Sequence, residues 1–105
     1  MRITARQPLP ESMRRYADEK LARLAHHAEL HDLSMVIDHD IHSHRLSRVE
    51  VVAHLHHIRI AAEGQGPTLP EAIDQAVHRA DRQLLQRKDR VTDRKGRTGA
   101  DGATS

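Results

Sequence analysis

A chain of 105 residues, 37% hydrophobic and 30% charged, has room for one small domain whose core must be aliphatic, because Tyr16 is its one aromatic residue. With no Cys it can form no disulfide, no iron–sulfur site, no Cys-ligated zinc and no thiolate nucleophile. Its net charge is +2 with His neutral, so the placement of charge matters more than its sum, and ten His can add positive charge as pH falls.

The first residues, "MRITAR", alternate Met1, Ile3 and Ala5 with Arg2, Thr4 and Arg6, the pattern of a short strand with one buried face. Pro8 and Pro10 end it. From Glu11 to about Ala28 the spacing predicts a helix, with Met13, Ala17, Leu21, Leu24 and Ala28 at steps of three and four. "LSMVIDH" predicts a strand with Leu33, Met35 and Ile37 on one face, and the polar residues 40–46 a loop. "SRVEVVAHL" turns Val49, Val51, Ala53 and Leu55 inward and Arg48, Glu50, Val52 and His54 outward. His56 and His57 must then make a tight connection to a fourth alternating run, "IRIAAEG". "GQGP" reads as a loop, and "TLPE" as a capping box in which Thr68 accepts from the new helix and Glu71 reaches back.

A second helix is expected over about 69–91. Beyond Thr92 the chain has no large apolar residue, so 1–92 is expected to be the folded domain and 93–105 a disordered tail. The order β-α-β-β-β-α predicts an α+β fold. It would be a two-layer sandwich with two helices packed on one face of a four-stranded sheet. No apolar run is long enough to span a bilayer and "MRITARQPLP" has no signal-peptide character, so a soluble cytoplasmic protein is expected.

Helix geometry sorts the charges. With Ile73 facing the core, Leu69, Ala76, Val77, Ala80 and Leu84 lie within about 60° of it. Asp74 and Asp81 lie at about 80–100°, and Arg79, Arg82, Gln86 and Arg90 at about 180–260°. On the first helix, with Ala17 facing the core, Glu11 and Asp18 lie at about 100–120° and Lys20, Arg23 and His27 at about 240–300°. Such faces are often merely solvated, and Glu11–Arg15 and Glu19–Arg23 have the order of helix-stabilising pairs. If the basic flanks instead face each other, Lys20, Arg23, His27, Arg79, Arg82 and Arg90 line a groove suited to phosphates. "RKDRVTDRKGR" adds six basic residues against two acidic, an electrostatic arm or a solubilising tail. One aromatic cannot build a base-stacking platform, which favours contacts to phosphates and sugars of structured RNA.

"RRYADEKLARL" (14–24) and "EAIDQAVHRADRQLLQRKDR" (71–90) resemble the two helices of the ribosome hibernation promoting factor family, which includes the ribosome-associated translation inhibitor A proteins. "RVEVVAHL" resembles its third strand, and the similarity spans about residues 1–92. The resemblance implies binding to the small ribosomal subunit and its rRNA over the decoding region, where messenger and transfer RNA would sit. It places Lys20, Arg23, Arg79, Arg82, Arg87 and Lys88 on the family's basic positions. Pro70-Glu71 stands where the family has a Tyr, Gln86 where a basic residue is usual, and His56-His57 in place of a Gly-rich turn. The likeness is to short members, without the second, dimer-forming domain of long ones. The expected protein is therefore a monomeric translation inhibitor, not an enzyme, with no cofactor, no small-molecule substrate and no membrane partner.

Two other readings fit parts of the chain. His54 and His56 share a strand face and could take a metal with His39, or with His42 and His44, as a third ligand. A general double-stranded-RNA module also packs two helices on a small antiparallel sheet. No nucleophile elbow or Gly-rich phosphate loop is visible. If His27 and its neighbours meet phosphate, binding should be tighter near about pH 6 than near about pH 8.

Overall fold

The structure, a computed structural model, describes residues 1–28, 32–39, 46–55 and 58–100, with side chains at 1–26, 32–39, 46–55 and 58–86. Its elements are β1 (Arg2–Ala5), α1 (Glu11–Ala28), β2 (Leu33–Asp38), β3 (Ser47–Leu55), β4 (Ile58–Gly66) and α2 (Leu69–Ala100). The sheet order is β1-β2-β3-β4. β2, β3 and β4 form an antiparallel meander. β1 runs parallel to β2, as it must when α1 carries the chain back across the sheet.

One face of the sheet and the inner stripes of both helices make a single core. Leu33, Met35, Ile37, Val49, Val51, Ile60 and Ala62 meet Ala17, Leu21, Leu24, Ile73, Ala76, Ala80 and Leu84 there. Each buried Leu, Ile, Val or Met contributes about 1.5–3 kcal/mol of transfer free energy. Among the described residues, no helix lies on the other sheet face. Val52 stands on it between Ser34 and Ala61, yet is only 9% exposed. Arg48 and Glu63 pair across the same face at 3.8 Å.

α1 begins where the Pro10 carbonyl accepts from the amides of Met13 and Arg14. At α2, Thr68 Oγ1 accepts from the Glu71 amide at 3.4 Å. The return bond from the Glu71 carboxylate is not made among the described residues; that side chain lies beside Gly66 instead.

Two boundaries differ from expectation. β4 runs on through Gln65 to Gly66, residues expected in the loop, and Gly64, shared by the strand and loop readings, lies within it. A Cβ on Gly64 would stand 2.3 Å from the Ala72 carbonyl oxygen and 2.4 Å from the Ala76 amide nitrogen. The glycine is therefore there to let the α2 backbone lie against the strand, not to turn the chain. α2 also runs past Val91 to Ala100. Polar composition does not stop a helix when no Pro interrupts it, and Gly96 and Gly99 weaken it only by about 1 kcal/mol each. Most of the expected loop at 40–46, the His56-His57 turn and residues 101–105 lie outside the described residues. Among the described residues, no helix is long and apolar enough to cross a membrane.

Candidate nucleic-acid interface

The two flanks of α2 do different work. On one, Gln75, Arg79 and Gln83 follow one another at steps of four and meet the outer edge of β4. Gln75 Oε1 accepts from the Gln65 amide at 2.8 Å. Arg79 donates to the Glu63 carbonyl at 2.8 Å, and Gln83 to the Ala61 carbonyl at 3.2 Å. The registers match physically: four helical residues rise about 6 Å, and two strand residues about 6.6 Å. The ladder satisfies backbone groups that an edge strand otherwise leaves bare.

The other flank of α2 meets α1, and it is the acidic one. Asp74 Oδ1 accepts the Tyr16 hydroxyl at 2.6 Å and lies 3.6 Å from Lys20 Nζ. Lys20 Nζ also stands 5.4 Å from the centre of the Tyr16 ring. The hydrogen bond to Asp74, then loss of hydration, then the Asp74 charge push the Tyr16 pKa up to about 12. On the far side of α1, Glu11 and Asp18 line a separate groove beside Met1 and Ile3 of the β1 edge.

Among the described residues, the expected cleft between two facing basic flanks is therefore not formed: Lys20 and Arg23 face Asp74 and Asp81, and Arg79 lies at the β4 edge. α2 packs over β3 and β4 with its Arg79 side toward the β4 edge, so the flank left for α1 carries Asp74 and Asp81. Between the helices runs an open groove of about 740 Å³, lined by Lys20, Arg23, Leu24 and His26 of α1 and by Asp74, Gln75, Val77, His78 and Asp81 of α2.

The expected site residues fall into three places. Lys20 and Arg23 line the groove, Lys20 paired with Asp74 and Arg23 exposed. Arg79 is held at the β4 edge, while Arg82 and Gln86 are exposed on the outer surface of α2. The side chains of His27, Arg87, Lys88 and Arg90 lie outside the described residues. Of the two expected pairs on α1, Arg15–Glu11 forms at 4.0 Å; Glu19–Arg23 is not among the ion pairs of the described residues. Sequence reasoning missed His26, His78 and the lining role of Asp74 and Asp81. The helical angles of all four were available, but not the side on which α1 lies.

The histidine grouping is also corrected. His54 Nδ1 faces Asp32 Oδ2 at 3.2 Å, and its amide donates to the Asp32 carbonyl. His39 Nδ1 shares a 2.6 Å hydrogen bond with Ser47 Oγ at the opposite end of the β2–β3 pairing. Five strand residues, about 17 Å, separate the two ends, so His39 cannot complete a site with His54. His42, His44 and His56 lie outside the described residues. Among the described residues, no group of three or more His, Asp or Glu could hold a metal ion.

No curated protein matches the chain. Solved structures share its fold, two of them as follows. A ribosomal subunit interface protein from Coxiella burnetii superposes with a TM-score of 0.70 at 17% identity, covering 85% of this chain and 99% of that one. The N-terminal domain of Protein Y from Thermus thermophilus superposes with a TM-score of 0.64 at 25% identity, covering 81% of this chain and 93% of that one. The model of the sigma 54 modulation protein / S30EA ribosomal protein family matches residues 1–92, and the chain belongs to that family.

Proposed function

We propose that this protein is a ribosome hibernation factor. It binds the small ribosomal subunit near the decoding region, through rRNA phosphates, and excludes messenger and transfer RNA by occupying their place. The observation that carries the reading is family membership over residues 1–92. The shared fold agrees with it, since the Coxiella burnetii protein is a ribosomal subunit interface protein. The surface chemistry supports it as well. Arg23, Arg79 and Arg82 are exposed, and guanidinium forks suit phosphate oxygens. Arg79 spends one donor on Glu63 and keeps others free, since the group carries five. Residues 1–92 are the binding domain and 93–105 a basic extension of it. The action is steric and needs no catalysis or cofactor, and its place is the cytoplasm.

The test is co-sedimentation of the Arg79→Glu, Arg82→Glu double variant with purified small subunits. Binding should fall at least about tenfold, with the circular-dichroism spectrum of the free protein unchanged. Undiminished co-sedimentation would remove both arginines from the interface. A competition between intact subunits and naked RNA duplex separates this reading from a general double-stranded-RNA module, because a ribosome-selective protein leaves the duplex first.

A further inference from the structure

We infer that the groove between α1 and α2 is a histidine-gated phosphate site, its grip on rRNA set by His26 and His78; this rests on the ribosome-binding reading above. The groove is lined by two permanent cations, Lys20 and Arg23, and by two carboxylates, Asp74 and Asp81. With both imidazoles neutral the lining has no net charge; with both protonated it reaches +2. Lys20 is already committed to Asp74, which the Tyr16 hydroxyl also holds. Arg23 is the permanent cation left to meet a ligand.

His26 and His78 are both exposed, one on each helix, so both can reach a ligand lying along the groove. Among the described residues, His26 has Arg23 three residues before it on its own helix and Asp74, His78 and Asp81 across the groove. His78 has Asp74 four residues before it, and Asp81 and Arg82 three and four after it, on its own helix. Across the groove it has Lys20, Arg23 and His26. Histidine is the side chain that ordinarily gains its charge between pH 5 and 8, and an imidazolium presents two N–H donors to phosphate oxygens. Leu24, 3% exposed, helps to make the floor apolar, which strengthens charges above it. A groove balanced at zero responds to two added protons far more than a groove already strongly basic.

The experiment compares three proteins at about pH 6 and about pH 8 over a salt series. They are the natural chain, the H26Q/H78Q variant and the H26K/H78K variant. Two ligands are used, purified small subunits and a short labelled RNA hairpin. On going from pH 8 to pH 6 the natural chain should bind subunits roughly tenfold tighter. The slope of log K against log salt should steepen by nearly two. H26Q/H78Q should lose most of that gain, whereas H26K/H78K should bind tightly at both pH values.

If H26Q/H78Q keeps the full gain, the gate lies in other histidines and the inference is overturned, while ribosome binding stands. If the hairpin shows the gated pattern and subunits bind at neither pH, the groove survives and the ribosome reading falls. If neither ligand binds at either pH, both fall.

Discussion

At Asp74 one carboxylate oxygen accepts the Tyr16 hydroxyl and faces the Lys20 ammonium, so a single residue of α2 ties two residues of α1. The bond favours the protonated phenol and raises its pKa to about 12. Its contribution is therefore complete below the ordinary tyrosine range near about pH 10, and is lost as pH rises through about 12. Tyr16 is the chain's one aromatic residue, so its ultraviolet phenolate absorbance can be read without deconvolution. The titration midpoint should lie near 12 in the folded protein and fall toward about 10 in Asp74→Ala or in denaturant. Tyr16→Phe should cost about 1 kcal/mol at neutral pH by denaturant titration. A midpoint near 10 in the folded natural chain would show that the tie does not hold in solution.

Among the elements, the bounds of α1 and the span of β3 were legible because their apolar residues repeat at the helical and strand periods. What failed was directional. The angles of Asp74, Arg79 and Asp81 about the α2 axis follow from their spacing. The side on which α1 lies follows from how α2 sits over β4, and spacing along one helix holds no information about that. The roles of Gln75 and Gln83 were not legible because their partners, the Gln65 amide and the Ala61 carbonyl, are backbone groups of a distant strand. The role of Gly64 was not legible for the related reason that a glycine needed for close approach looks like one needed for a turn. Close approach makes a sharp prediction. In Gly64→Ala the new methyl meets helix backbone at 2.3 and 2.4 Å, so α2 must move. At Gly66 the nearest atom is the Glu71 Cβ at 2.8 Å, with helix backbone no nearer than 3.2 Å. Gly64→Ala should lower stability by about 1–3 kcal/mol or more, measured by the urea midpoint, and Gly66→Ala by less. The reverse order would mean that α2 is not seated on β4 at Gly64.

For the whole molecule, a net charge of +2 is too small to bind RNA by its sum, so affinity must come from where the cations stand. Arg23, Arg79 and Arg82 are exposed in the folded part, and the segment 87–97 carries six further basic residues against two acidic. If that segment works as part of the interface, each cation that displaces a counterion adds about 0.7–0.9 to the slope of log K against log salt. A chain ending at Thr92 lacks Arg94, Lys95 and Arg97. Its slope for small-subunit binding should be shallower by up to about three, with affinity falling most at low salt and converging on that of the full chain at high salt. A merely solubilising extension leaves slope and affinity unchanged while lowering the concentration at which the protein precipitates. Because Leu84 is the last buried residue among the described side chains, well before the truncation point, thermal unfolding should stay in place, and an unchanged unfolding temperature then shows that a change in slope reports on RNA contact and not on folding.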